Sequence, residues 1–383
     1  MWKTRNFVLM MMLCFMLVGC GSNDEGDQAT EDNNMNDETS EDVQNSSDEL
    51  EILGGNLQAP WAIAENNGVF YITERDGSVT VIDDGEEQRY DVQLEDELYT
   101  EGEAGLLGLA LDPQFEDNQQ AYMYYTYAVG DDIFNKVVVS TYQDDEQVWV
   151  EEETLLDEIP GLMIHNGGRI KIGPDDHLYV TTGDADSLYG QSGETDGAII
   201  AQDLDSLAGK ILRLELDGSI PEDNPFNDSY VYSYGHRNPQ GITWTEDGDM
   251  YSSEHGPTAH DEINAIEAGA NYGWPLIKGD EEEDGMQLPV IHSGDDTWAP
   301  SGIASYQNDL FFAGLRGEGV YYYDIETEDL QQVVTDYGRV RDVYVLEDSL
   351  IFLTNNTDGR GNPSDNDDQL IKIPLQHLTN EAQ

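Results

Sequence analysis

The residues that could carry out chemistry lie in short segments rich in glycine. His165 is a candidate general base, and Asp184 follows just past the next predicted strand, where its carboxylate could orient the imidazole. Arg237 offers a fixed cation beside the side-chain amide of Asn238. A single histidine is usually structural, so the prediction of an acid–base site depends on these residues occurring together.

Four segments of this kind follow one another along the chain. Their glycines let the backbone approach a ligand closely, and the carbonyls of Gly256 and Pro257 could face a hard cation. We interpret the segments as loops that enter or leave strands. They cover residues 102–115, 165–184, 235–241 and 254–275.

The elements that must position these loops are short β-strands. Apolar and polar residues alternate over brief runs separated by Gly, Asp and Asn, and no useful helical periodicity follows the N-terminal apolar run. The runs predict strands over 69–73, 78–82, 121–128, 136–142, 177–182, 211–216, 241–245, 249–253, 309–313, 319–325, 340–346, 349–354 and 369–373.

The spacing of these strands predicts the architecture. Strand pairs recur at the interval of propeller blades, and radial repetition of small antiparallel sheets avoids long open edges. We predict an all-β, six-bladed β-propeller with antiparallel four-stranded blades, forming one catalytic domain over 52–376, with 377–383 as a tail. An array of β-sandwiches is the alternative. The acidic runs at 151–153 and 280–284 are predicted as solvated loops, not metal sites.

The N-terminus predicts export and lipid attachment. Lys3 and Arg5 precede an apolar run that is too short to span a membrane and that ends in a small residue before Cys20. We predict a lipoprotein signal peptide over 1–19, a lipidated Cys20, and a disordered acidic linker over 20–51. The protein would then be anchored to the outer face of the cell membrane. A plain secretory signal is the alternative.

Composition excludes some classes of function. The chain has 16 basic and 80 acidic residues, a formal net charge of −64, so nucleic acid is not expected as a partner. The cysteines are Cys14 and Cys20, so the predicted mature domain has no disulfide, cysteine metal site or thiol nucleophile. The many carboxylates make calcium binding plausible without establishing it.

With these segments, the sequence resembles the soluble quinoprotein sugar dehydrogenases, which use pyrroloquinoline quinone (PQQ). The likeness covers residues 52–375 and is greater to the bacterial aldose sugar dehydrogenase branch, whose loops are short, as they are here. The resemblance implies PQQ- and calcium-dependent oxidation of aldose sugars to lactones by hydride transfer to the quinone, with His165 as base. Electrons would pass to a respiratory quinone or cytochrome at the membrane.

The resemblance also implies roles for matching positions. His165 matches the catalytic base, Asp184 the residue that orients it, and Arg237 a residue that contacts and polarises the quinone. Trp298 would cover the quinone ring. The implied cofactor contacts are Glu103, His165, Arg237, Asn238, Trp298, Arg316, Arg339 and Arg341, the last two meeting the PQQ carboxylates. The implied calcium ligands are the carbonyls of Gly256 and Pro257 at the cofactor, and Glu262 with the carbonyl of Tyr272 at a structural site.

Three positions depart from the family pattern. Glu103 stands where the best-known members carry Gln, and a carboxylate facing a tricarboxylate is unfavourable unless it is protonated or bridged by a cation. Ile164 replaces an acidic substrate contact of the glucose-oxidising members, which leaves the preferred sugar open. Arg316 stands where a Lys often contacts PQQ, so the charge is kept but the geometry changes.

Two other functions remain open on the sequence. The propeller could be a non-catalytic binding module for carbohydrate or protein, since a fold does not determine its function. It could also be a calcium-dependent lactonase that needs no organic cofactor. The arginines near Asn238 and at positions 339 and 341 argue against a lactonase, which has no tricarboxylate to bind.

Overall fold

The described part of the chain is almost entirely β-structure. The computed structural model describes residues 50–185 and 198–379, which contain 24 strands, two four-residue α-helices and one short 3-10 helix at Ala198–Gln202. The prediction of an all-β fold is confirmed. The predicted signal peptide, Cys20, nearly all of the linker and residues 380–383 of the predicted tail lie outside the described residues.

Two groups of four strands share one eight-stranded sheet. Its halves are antiparallel and join through β5 and β9, which pair in parallel at Val92 with Trp149 and Gln93 with Val150. The strands, in sheet order, are β2 (Pro60–Asn66), β3 (Val69–Glu74), β4 (Ser78–Asp83), β5 (Glu86–Gln93), β9 (Val148–Pro160), β8 (Asp132–Gln143), β7 (Gln120–Val129) and β6 (Leu106–Leu111).

Three further sheets each contain four antiparallel strands in sequence order. The first has β10 (Ile170–Ile172), β11 (Leu178–Thr182), β12 (Lys210–Leu214) and β13 (Val231–Tyr234). The second has β14 (Pro239–Trp244), β15 (Met250–Glu254), β16 (Glu262–Ile266) and β17 (Ile291–His292). The third has β18 (Pro300–Tyr306), β19 (Asp309–Gly314), β20 (Gly319–Asp324) and β21 (Asp329–Val334).

The last sheet joins the first strand to the final three. β1 (Glu51–Gly54) pairs antiparallel with β24 (Leu370–Pro374), followed by β23 (Ser349–Thr354) and β22 (Val340–Leu346). The helices are α1 (Phe115–Asn118) and α2 (Gln376–Thr379). Every predicted strand overlaps an observed one. Within the described residues, no helix combines the length and apolar character that a membrane span needs.

The core lies between the faces of the sheets. All five residues of β11 are buried, because this strand packs on both faces. The largest apolar cluster spans both halves of the eight-stranded sheet: Phe115 stacks on Trp149 with ring centroids 6.2 Å apart, and Tyr71 meets Phe115 edge-on at 5.2 Å. Such aromatic pairs add specific geometry to the area they bury.

The strands that begin each group of four contact one another in a closed series. β2, β6, β10, β14, β18 and β22 follow in that order, and β22 returns to β2. Asp342 on β22 ties this ring together, because its Oδ2 accepts from the Ile63 N–H at 2.9 Å and from Arg169 Nη1 at 2.7 Å. Loops at one end of the ring carry the candidate site.

Candidate active site

Eight loops converge on one open cavity of about 800 Å³. Each loop lies between two of the strands defined above, so residues far apart in sequence meet in its wall. The loops contribute Glu103, His165, Arg237, Gly256 with Pro257, Thr297 with Ala299, Arg316, Arg339 and Arg360. The structure therefore brings most of the sequence-predicted site residues to one place.

His165 is held between a carboxylate and a guanidinium. Its Nδ1 lies 2.9 Å from Asp184 Oδ1, and its Nε2 lies 2.9 Å from Arg237 Nη2. Arginine can only donate, so Nε2 must accept and Nδ1 must carry the proton. The imidazole is thus in the Nδ1–H tautomer, whose Nε2 lone pair is the one a general base would use once Arg237 releases it.

The backbone around His165 is unusual and depends on glycine. His165 has a φ of 56°, in the left-handed region that few non-glycine residues adopt. A Cβ at Gly183 would overlap the carbonyl of His165, so only glycine fits there. This close approach places Asp184, the next residue, beside the imidazole.

Trp274 and the main chain of Arg237 also help to fix Asp184. Its side chain is fully buried, and Trp274 Nε1 donates to its Oδ2 at 2.8 Å. Its N–H donates to the Arg237 carbonyl at 2.7 Å. A carboxylate held in this way can orient His165 and stabilise its cation.

Arg237 faces the cavity although its side chain is largely buried. Nη1 donates to the His255 carbonyl at 3.1 Å, and the guanidinium lies 5.5 Å from the Trp274 ring centroid. The Arg237 N–H donates to the Glu254 carboxylate. Burial lowers the pKa of Arg237, against the raising effect of Asp184 and other nearby carboxylates. Among the described residues, no group accepts from its buried Nε.

Arginines are concentrated in the cavity walls. The chain has 16 basic residues, yet six arginines line the open cavity or a small neighbouring one of about 20 Å³, which has room for about one water. The open cavity has Arg237, Arg316, Arg339 and Arg360, and the small one has Arg75, Arg341 and Arg360. This cationic lining in so acidic a protein indicates an anionic ligand.

The predicted arginine pair divides between the two cavities. Arg339 lines the open one, and its Nη2 donates to Asp358 at 2.7 Å. Arg341 lines the small one, where Gln240 Oε1 and Asn355 Oδ1 each accept from it at 2.9 Å. Burial lowers the pKa of Arg341 to about 9, partly offset by Asp358.

Glu103 is bridged by a cation that the sequence analysis missed. Arg360 Nη1 donates to Glu103 Oε1 at 2.7 Å, and the His165 N–H donates to Oε2 at 3.3 Å. Burial alone would raise the pKa of Glu103, but the charge and the hydrogen bond of Arg360 lower it to about 2. Glu103 is therefore a carboxylate paired with a cation. The sequence allowed either a protonated or a cation-bridged carboxylate, and the structure has the second.

The candidate calcium carbonyls belong to a constrained turn. Gly256 and Pro257 line the open cavity. Asp261 lies behind them, and its carboxylate accepts from the N–H groups of Gly256 at 2.9 Å and of Trp298 and Ala299 at 2.7 and 2.8 Å. In the described part of the chain, no cluster of three His, Cys, Asp or Glu could hold a metal, so an ion here would depend on main-chain oxygens.

Glu262 and Tyr272 lie away from the cavity. Glu262 Oε1 accepts from the Gly279 N–H at 2.7 Å, and burial, reinforced by Glu254, raises the pKa of Glu262. Two buried carboxylates in proximity suit a cation between them. The Tyr272 ring stacks on His236 at 4.7 Å, and its hydroxyl donates to the Ala265 carbonyl at 2.6 Å.

Two predicted cofactor contacts do not line either cavity. Trp298 packs against Phe312 and Tyr321, with ring centroids 5.4 and 5.9 Å away, while its neighbours Thr297 and Ala299 reach the open cavity. Asn238 is fully buried behind the wall. Its Oδ1 accepts from the Gly167 N–H at 3.0 Å, and its Nδ2 has no partner among the described residues.

His255 is a wall residue to which the sequence analysis gave no role. It lines both cavities, and burial lowers its pKa, so the imidazole is neutral. The sequence signal that could have identified His255 as a site residue is its position directly before Gly256 and Pro257. The described residues offer no partner to its buried Nε2.

Comparison with known proteins identifies the family. The family model for glucose/sorbosone dehydrogenase matches residues 57–365. The chain belongs to this family. It is the soluble, PQQ-dependent family of sugar dehydrogenases that the sequence motifs resemble, so that prediction is confirmed.

Relatives within the sugar dehydrogenase family cover most of the chain. Aldose sugar dehydrogenase YliI of Escherichia coli is 30% identical over 351 residues, which are 81% of this chain and 91% of that protein. The PQQ-bound structure of aldose sugar dehydrogenase from Streptomyces coelicolor is 35% identical with a TM-score of 0.76, covering 85% of this chain and 97% of that one.

A further relative matches over a shorter region. Quinoprotein glucose dehydrogenase B of Acinetobacter calcoaceticus is 37% identical over 203 residues, which are 48% of this chain. The match spans only 42% of that enzyme, less than half of its length. The comparison of whole domains therefore rests on the two longer matches.

Proposed function

We propose that this protein is an aldose dehydrogenase that uses PQQ and calcium and oxidises a sugar hydroxyl to the lactone. The observation that carries the proposal is the hydrogen-bonded series Asp184–His165–Arg237 in the wall of an arginine-lined cavity. Membership of the sugar dehydrogenase family supports the same reaction class.

The residues present suit PQQ, a quinone with three carboxylates. The cavity arginines supply cations for the carboxylates, and Arg316 lines the cavity beside Arg339 and Arg360. Arg237 Nε is a buried donor that lacks an acceptor among the described residues, and Arg237 lines the open cavity. Buried polar groups are normally paired, so this donor fits a ligand rich in acceptors.

Calcium suits the neighbouring wall. The carbonyls of Gly256 and Pro257 are hard oxygen donors at the edge of the cavity, and Asp261 adds a buried negative charge behind them. Glu262 with the carbonyl of Tyr272 is the proposed second, structural calcium site. PQQ, when bound, would supply a two-electron acceptor for hydride, and calcium a Lewis acid beside it.

The protein's own groups account for proton removal. His165 Nε2 would take the proton of the sugar hydroxyl as the carbon-bound hydrogen leaves as hydride. Arg237 must move from Nε2 before this step, which frees its guanidinium to stabilise charge that develops in the cavity. Asp184 keeps the needed tautomer and stabilises the imidazolium that forms. The proton then leaves to solvent through the open mouth.

Six blades are also part of the proposal. The eight-stranded sheet divides at the two-residue contact between β5 and β9, giving two groups of four strands. With the other four sheets, this gives six units around the closed series of inner strands. One catalytic domain over 52–376 is consistent with strands that extend from Glu51 to Pro374.

The proposed function is tested by measuring cofactor binding and then turnover. With calcium present, PQQ titrated into apo-protein should quench intrinsic fluorescence saturably, and the loaded protein should reduce a dye when given an aldose. Apo-protein without PQQ, and protein treated with a calcium chelator, are the controls. Bound PQQ without activity on a broad aldose panel would contradict the dehydrogenase and favour the binding module. Lactone hydrolysis without PQQ would favour the lactonase.

Lipid anchoring is proposed on the N-terminal sequence. Cys20, after a short apolar run, would carry acyl chains and hold the domain at the outer face of the membrane. A Cys20→Ser variant should keep dye-linked activity but lose coupling to respiration through a quinone or cytochrome. Unchanged sugar-driven oxygen uptake by cells carrying the variant would contradict this.

A further inference from the structure

The wall between the two cavities contains an ion pair that spans two sheets. Glu103 lies in the loop before β6, and Arg360 lies in the loop between β23 and β24. Their 2.7 Å contact joins these loops, and both residues line the open cavity and the small one. Any ligand that fills the cavities must meet this pair.

The pair contributes little to holding its own loops. Its side chains are 24% and 53% exposed, and an ion pair this open to solvent contributes little stability. Other contacts fix the loop of Arg360: Asp368 accepts from the Thr357 N–H at 3.1 Å, and Asp358 accepts from the Arg360 N–H at 2.9 Å. The loop of Glu103 is fixed by Arg75, whose Nη2 donates to the Gly102 carbonyl at 2.6 Å.

The pair does affect the charge that a ligand encounters. Glu103 also accepts from the main-chain N–H of His165, so its carboxylate lies beside the base. Without Arg360, an uncompensated negative charge would face a cavity that is otherwise built for anions. With Arg360, the carboxylate keeps its bond to His165, while the remaining guanidinium N–H groups can face the ligand.

We propose that Glu103 and Arg360 act as one cofactor-positioning unit, in which Arg360 cancels the repulsion between the Glu103 carboxylate and the carboxylates of the bound cofactor. The inference rests on the proposed function, because it assigns the pair to the PQQ site. It explains how a carboxylate is tolerated at a position where Gln would be neutral. Neither residue touches the reacting atoms in this role.

A double-mutant cycle tests the unit. Wild type, Arg360→Gln, Glu103→Gln and the double variant are titrated with PQQ in calcium, and dissociation constants are read from fluorescence. Arg360→Gln should weaken binding by about tenfold or more, whereas Glu103→Gln should bind at least as tightly as wild type. The double variant should return to within about threefold of wild type, because both charges are gone.

The control and a second measurement separate this role from a structural one. Lys278→Gln removes the cation of an exposed ion pair with Glu281 that lines neither cavity, and it should leave PQQ affinity unchanged. The thermal midpoint of Arg360→Gln should match that of wild type.

Each contrary outcome has a separate meaning. Equal PQQ affinity in wild type and Arg360→Gln would overturn the inference alone. A double variant as weak as Arg360→Gln would also overturn it, because Arg360 would then act without Glu103. Failure of wild type to bind PQQ would overturn the proposed function, and this inference with it.

Discussion

His165→Ala is expected to lower kcat by about 10²- to 10⁴-fold while leaving PQQ affinity within about threefold of wild type. His165 lines the cavity, and its tautomer is set by Asp184 at Nδ1 and by Arg237 at Nε2. Its removal deletes proton transfer but none of the cavity arginines. The measurement is dye-linked turnover at saturating PQQ and aldose, beside a fluorescence titration of PQQ.

The matched control is a histidine outside the cavities. His377 lies in α2, and His377→Ala should leave kcat unchanged. Retained turnover in His165→Ala would show that another group takes the proton. The neutral imidazole of His255 would then be the first alternative to test, since it lines the same cavity.

Asp184→Asn is expected to lower kcat by about 10³- to 10⁴-fold, although it changes almost no volume. Trp274 Nε1 donates to one side-chain oxygen of residue 184, and the other oxygen faces His165 Nδ1. In the variant, the amide oxygen would turn to Trp274 and the NH₂ group to His165. Nδ1 would become an acceptor, so Nε2 would carry the proton and could not act as base.

The contact with Trp274 makes this explanation testable. In the double variant with Trp274→Phe, the indole donor that fixes the amide oxygen is gone, so about tenfold of the lost kcat should return. Trp274→Phe alone, with Asp184 intact, should cost less than Asp184→Asn. Equal losses in the single and double variants would show that charge rather than tautomer explains the effect. Steady-state kinetics at saturating PQQ distinguish these results.

Much of the fold could be predicted because its strands carry a local signal. The run Val69–Thr73 consists of aromatic and β-branched residues, and it lies in β3 as expected. The acidic run at 151–153 was predicted as a solvated loop, and that prediction was wrong: it lies inside β9. Glu151 is buried there because it lies 3.5 Å from the Lys136 ammonium, a partner on β8 that local composition does not reveal.

Some residues of the candidate site could likewise be predicted from the sequence, and others could not. The spacing of His165 and Asp184 was informative because the hairpin of β10 and β11 separates them, and the structure places His165 Nδ1 2.9 Å from Asp184 Oδ1. Arg360 was missed because its partner, Glu103, is distant in sequence and meets it only when the first and last sheets are neighbours. Trp298 was assigned through resemblance, whereas packing directs its ring into the core against Phe312.

The pairing of β1 with β24 has a kinetic consequence. The sheet that contains them can be completed only after β24 has been synthesised, because β24 joins β1 to β23. Contacts between such distant segments slow folding, because the entropy cost of closing the long loop comes before the contacts stabilise the chain. The cavity wall, which extends from Glu103 to Arg360, should therefore be the last region to become protected from hydrogen exchange during refolding. A cofactor would then meet a complete binding site or none at all.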